Sequence, residues 1–162
     1  MKKLLLIMFV FTAGNMFAQS KASASATINA EIVSPISIVG GGLIDFGRIA
    51  STEKGGKVHI SPEGKRTTNV EDMLIPGAVS TAKFIVKAAD GYAYSLAVKA
   101  DPLTSGSGEG AHTMNVEFKL AEDKLTGNGQ EQEIGLESTL TVNAAQAPGD
   151  YTGEVIMTVS YE

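Results

Sequence analysis

The chain has 162 residues, 19% charged and 43% hydrophobic, with a formal net charge of −5, a composition that supports a packed core and disfavours disorder. It has no cysteine, which excludes a disulfide scaffold, a thiolate metal site, a cysteine nucleophile and a lipid anchor on Cys. The acidic balance argues against nucleic acid, whose phosphates demand a Lys/Arg surplus.

Residues 1–18 open with Lys2 and Lys3, continue through an apolar run over 4–11 and end on Asn15-Met16-Phe17-Ala18 before Gln19. The run is too short to span a bilayer, and a small residue stands at the junction. Residues 1–18 are therefore expected to be a signal peptide and 19–162 a single exported domain, in the periplasm, at the outer surface or outside the cell. No later stretch reads as transmembrane. Without Lys2 and Lys3, 11 basic residues face 18 acidic ones.

From there apolar residues alternate with polar ones at period two, the pleat of a half-buried strand. Ala24, Ala26, Ile28, Ala30 and Ile32 share one parity, and it resumes after Pro35 at Ile36 and Ile38. Ile44 and Phe46 follow three glycines at 40–42, and Val58 and Ile60 lead into Pro62-Glu63-Gly64. Ala82, Phe84, Val86 and Ala88 form the next set. Asp90-Gly91 reads as a tight hairpin turn, with Tyr92, Tyr94, Leu96 and Val98 beyond it. Met114, Val116, Phe118 and Leu120 repeat the pattern, then Leu140 and Val142, and last Val155, Met157, Val159 and Tyr161. No window keeps helical spacing. Eight or nine short strands between turn clusters predict an all-β, immunoglobulin-like antiparallel sandwich. An outer-membrane barrel would need aromatic girdles, and residues 19–162 hold only seven aromatics.

Charge is uneven along the chain. Residues 47–70 carry five basic side chains against two acidic ones, and 101–137 carry eight acidic against two basic. Solvated loops explain this most simply; complementary ends that guide head-to-tail association are the sharper reading.

Motifs for catalysis are sparse. Asp45-Phe46-Gly47 spells a kinase metal-binding triplet without a kinase's other parts, so Phe46 is read as a core plug and Gly47 as a turn. Gly106, Gly108 and Gly110 lack the strand-then-helix context of a phosphate loop. His59 and His112 are isolated, and no metal, cofactor or catalytic residue is expected. A sugar platform would want exposed aromatic faces, yet only Tyr151 stands outside an apolar run. In Pro148-Gly149-Asp150-Tyr151 a tyrosine corner accounts for it.

The alternating start, Leu43-Ile44-Asp45-Phe46-Gly47, Val58-His59-Ile60-Ser61-Pro62-Glu63-Gly64 and Ala147-Pro148-Gly149-Asp150-Tyr151-Thr152-Gly153 with the final strand resemble a bacterial domain-of-unknown-function family, numbered 4402, over residues 24–161. That family has no assigned activity, so the resemblance implies a fold rather than a function. More distantly, the ends are similar to archaic chaperone–usher pilins and spore-coat-U-type domains. These also begin with an alternating strand, continue through a hydrophobic-x-Phe-Gly segment and finish with Gly-Asp-Tyr before a terminal strand. Gly149 stands fourteenth from the end and Tyr161 is penultimate, although the cysteine pair common in those pilins is missing. The resemblance implies a secreted, non-enzymatic structural or adhesive protein: a pilus-like subunit assembling by β-strand donation. Its partners would be further copies or other fibre subunits, with a chaperone and an usher. Residues 19–33 would then be either the donated strand, presenting Ala24, Ala26, Ile28, Ala30 and Ile32, or the domain's own first strand. Val155, Met157, Val159 and Tyr161 would line the accepting groove. The alternative is a soluble module, extracellular or periplasmic, that binds glycans or proteins.

Overall fold

The computed structural model describes residues 21–106 and 110–162. The expected signal peptide lies outside the described residues, as does Gly108 of the glycine-rich loop. The chain divides into two compact units, Met1–Ile32 and Val33–Glu162.

In the first unit, residues 21–32 hold no regular secondary structure. Residues 24–32 keep the alternation of a strand without forming one. Ile28 and Ile32 are 92% and 98% exposed, and Ala24, Ala26 and Ala30 are exposed as well. Alternation alone does not make a strand, because the backbone N–H and C=O groups need a ladder partner.

The second unit is all-β and sandwich-like. Its described residues form β1 (Ser37–Gly41), β2 (Gly56–Ile60), β3 (Arg66–Thr68), β4 (Lys83–Lys87), β5 (Ala93–Ala100), β6 (Leu103–Ser105), β7 (His112–Lys119), β8 (Lys124–Thr126), β9 (Glu131–Gly135), β10 (Glu137–Val142) and β11 (Val155–Tyr161). The expected runs and the strands differ in detail: 24–32 forms no strand and 44–46 only an isolated bridge at Asp45, while β9 and the three-residue β3, β6 and β8 lie outside the named alternating runs. All pairings are antiparallel, in sheets ordered β1-β4-β9, β3-β2-β10-β7-β6 and β11-β5-β8.

One long strand links two of these sheets. Ile134, Leu136, Ser138, Leu140 and Val142 are all buried on one parity, yet β9 pairs with β4 whereas β10 pairs with β2 and β7. The switch falls at Leu136, just after Gly135, where an added Cβ would lie 2.8 Å from that of Pro62.

The Asp90-Gly91 turn forms, with Gly91 at φ 78°, but it is not a hairpin. β4 pairs with β1 and β9, while β5 pairs with β11 and β8, so the turn carries the chain from one sheet to another. Its hydrogen-bonding groups are taken up by the 127–129 turn. Gly91 N–H donates to the Gly127 carbonyl at 2.9 Å, and Gly127 N–H donates to that of Tyr92 at 2.8 Å.

Two apolar clusters fill the unit. Val86, Tyr94, Leu96, Leu136 and Met157 anchor one; Phe46, Val58, Ile60, Met73 and Leu140 anchor the other; Ile44 packs against both. Each fully buried Leu or Ile contributes about 1.5–3 kcal/mol relative to exposure. Tyr94 is wholly buried, its hydroxyl donating to Gln132 Oε1 at 3.2 Å, and burial pushes its pKa above the usual value. Ser138 is wholly buried too, and its hydroxyl has no partner among the described residues.

The sheet order also locates the charge. The basic stretch covers β2 and the β3 edge of the five-stranded sheet. The acidic stretch starts at the β6 edge of that sheet and runs on through β8 and β9 of the other two. Its strand-borne acids, Glu117 on β7, Glu131 and Glu133 on β9 and Glu137 on β10, thus fall on two sheets.

Candidate functional site

The site begins with a segment that is almost a strand. Asp45 and Ser80 exchange backbone hydrogen bonds of 3.0 and 3.1 Å. Ala50 N–H donates to the Met73 carbonyl at 2.8 Å, and Ile75 N–H to that of Arg48 at 3.1 Å. Between these contacts the ladder is broken by a turn. Asp45 Oδ1 accepts the Gly47 N–H at 2.7 Å, Gly47 takes φ 72°, and Phe46 drives its ring into the core. Arg66, reaching from β3, holds the broken ladder together. Its guanidinium donates to the carbonyls of Phe46 (2.7 Å), Arg48 (3.3 Å) and Ile75 (2.8 Å). A planar fork of donors suits three convergent carbonyls in a way that a lysine does not. The fit leaves no room for a side chain at 47, where a Cβ would stand 2.5 Å from Arg66 Nη1 and 2.8 Å from the Ala78 carbonyl oxygen.

The facing wall is the loop before β11. The Tyr151 hydroxyl donates to the Ala147 carbonyl at 2.8 Å and accepts from Gln146 Nε2 at 2.7 Å, so one ring tethers its own loop. Thr152 exchanges backbone hydrogen bonds with Thr104 of β6. Gly149 closes against β6 as well, since a Cβ there would lie 2.5 Å from Ser105 Oγ.

Between these walls lies a cleft of about 510 Å³. Its floor is part of the second apolar cluster, half-buried Leu103 with buried Met114, Leu140 and Val142. Phe46 and Ile49 stand on one side and Tyr151 on the other, with Arg48, Asp45 and Asp150 at the rim. The chemistry is apolar binding surface with a charged margin.

Beyond Ile44, which also lines the cleft, the apolar surface belongs to β1 and β11. Met157 is buried, while Val155, Val159 and Tyr161 are half-buried on the same parity and pack on the cluster that also receives Ile36 and Ile38. Among the described residues β11 pairs only with β5, and β1 only with β4, so each presents one unpaired backbone edge. The two are tied at one end. The Tyr161 hydroxyl accepts the Ala89 N–H at 2.8 Å and donates to the Ser34 carbonyl at 2.9 Å, and its ring meets Tyr92 edge-on at 5.9 Å.

The sequence-named residues therefore separate into groups. Phe46, Gly47, Gly149 and Tyr151 meet around one cleft. Val155, Met157, Val159 and Tyr161 share the inward parity of β11. Ala24, Ala26, Ile28, Ala30 and Ile32 belong to the other unit. The cleft floor was not foreseen as a site: Met114, Leu140 and Val142 read in sequence as ordinary core and are buried, and nothing local marks which core residues line a cleft. His59 lies on β2, 3.3 Å from Thr139 Oγ1 and 3.9 Å from Glu137, and His112 is exposed at the start of β7. Among the described residues no three His, Cys, Asp or Glu side chains gather as a metal site would require. The Ser61–Gly64 turn is held by its own side chains. Ser61 Oγ donates to Glu63 at 2.6 Å and, with the local backbone, holds that carboxyl below its usual pKa.

Among the described residues no helix is long and apolar enough to cross a membrane. No curated protein matches the chain. A family model described as "Domain of unknown function (DUF4402)" matches residues 36–161. The match contains both walls and the floor of the cleft and all of β11, and it begins after the alternating segment 24–32. The chain belongs to this domain-of-unknown-function family.

Proposed function

We propose that the chain is an exported, non-enzymatic structural or adhesive protein, an immunoglobulin-like subunit of a surface fibre that assembles by β-strand donation. The observation that carries this reading is a pair of strands, β1 and β11, each with an unpaired backbone edge among the described residues. Ile38 of β1 and half-buried Val155, Val159 and Tyr161 of β11 pack on the same apolar cluster. A strand added there would satisfy backbone groups and bury side chains on one parity, the two requirements of β-augmentation. Residues 24–32 have that parity and form no strand of their own. Ala24, Ala26, Ile28, Ala30 and Ile32 are the donated face; Val155, Met157, Val159 and Tyr161, with the cleft residues, are the accepting one.

Electron microscopy and light scattering of the exported chain test the reading. Fibres or concentration-dependent oligomers are expected. Monodisperse monomers at every concentration overturn it.

A second reading draws on the cleft alone. Its volume falls in the range of small-ligand pockets, roughly 300–1,000 Å³, and Tyr151, Asp150 and Arg48 offer polar groups at its margin. A soluble glycan- or protein-binding module would show saturable binding by monomers that Tyr151→Ala abolishes, with no assembly.

A further inference from the structure

We propose that the Ser34-Pro35 step, clasped by Tyr161, keeps residues 24–32 from folding back into the groove of their own chain and so reserves them for a second copy. This rests on the strand-donation reading and adds who the donor is and what enforces it.

To pair with the free edge of β1, residues 24–32 would have to reverse direction within residues 33–36. Tight hairpin turns place one or two residues at positive φ and favour Asn, Asp or Gly there. Val33, Ser34, Pro35 and Ile36 include none of these. Pro35 disfavours the helical region for Ser34 and biases it toward extended backbone, the opposite of a turn. Each end of the step is also fixed from outside. The Ser34 carbonyl accepts from the Tyr161 hydroxyl at 2.9 Å, and Ile36 packs on the first apolar cluster. Tyr161 is immobilised in turn by the Ala89 N–H and the edge of Tyr92. Two contacts thus hold the 34–36 step, and the first is braced by Ala89 and Tyr92.

The test replaces Ser34-Pro35 by Asn-Gly (Ser34→Asn with Pro35→Gly), which supplies the turn the native step forbids. The exported chain and this variant are compared by light scattering and thermal melting, each beside a form lacking residues 19–33. The wild type is expected to assemble with rising concentration. The variant is expected to remain a folded monomer that melts above its own deletion form, with at least a tenfold smaller assembled fraction. Tyr161→Phe, which keeps the ring and removes the hydroxyl, shifts the balance the same way and serves if the double variant does not fold. Undiminished assembly by both variants overturns the clasp and leaves strand donation standing. A wild-type monomer that melts lower without residues 19–33 also overturns it, because the segment then already folds back. A wild-type monomer indifferent to the deletion overturns both readings.

Discussion

Residues 24–32 and β11 are written in the same alternation and have opposite fates. In β11 the odd-numbered residues from Val155 to Tyr161 face the core, and seven residues pair in register with β5, from Val155 opposite Ala100 to Tyr161 opposite Tyr94. In residues 24–32 the apolar parity is exposed and no strand forms. The difference lies in what each parity can bury. β11 offers Val, Met, Val and Tyr to a cluster that already holds Tyr94 and Leu96, whereas the N-terminal segment offers three alanines and two isoleucines. Period two states which side chains share a face. It does not state that a neighbour is there to receive them.

The largest effect expected from this contrast comes from placing the same charge in each segment. Met157→Asp buries an unpaired carboxylate and should destabilise the folded monomer by about 3–5 kcal/mol, read by denaturant unfolding. Ile28→Asp, at a side chain 92% exposed, should change monomer stability by less than about 0.5 kcal/mol and still abolish assembly. Equal destabilisation by the two would erase the distinction between the segments.

Next in size is the wall of the cleft. Gly47→Ala meets both a positive φ and the Ala78 carbonyl, so a loss of about 1–3 kcal/mol is expected in thermal melts. A variant as stable as wild type would mean that Arg66 and the 44–50 ladder are not the rigid wall described.

Much of this was legible in the residues. The inward parities of β2, β4, β5, β7, β10 and β11 follow the sequence alternation, and the family blocks around Phe46 and Tyr151 are the two walls of the cleft. Other features were not. Met73 is fully buried from a turn without any periodic neighbours, because tertiary packing chose it. Asp90-Gly91 was legible as a turn but not as a corner, since local chemistry fixes a reversal and says nothing of which sheet receives the next strand. The cleft itself was invisible because it forms between two loops that are distant in sequence.

Smaller effects sharpen the account further. Tyr151→Phe removes the bond to Ala147 and should destabilise by about 1 kcal/mol, enough to loosen the wall and weaken assembly without unfolding the subunit. Ser138→Ala runs the other way. Its hydroxyl is buried and unpartnered, so removing it should leave stability unchanged or raise it by up to about 1 kcal/mol; a clear loss would show that the hydroxyl is bonded.

The central claim is that the free edges of β1 and β11 are completed by a strand of this sequence from another molecule. The most direct measurement is the melting temperature of the protein lacking residues 19–33, taken with and without a synthetic peptide of that segment. The account predicts a saturable rise, corresponding to about 2.7 kcal/mol when the peptide is present at about 100 times its Kd, and no rise with a peptide carrying Ile28→Asp and Ile32→Asp. A melting temperature that neither peptide moves would contradict it.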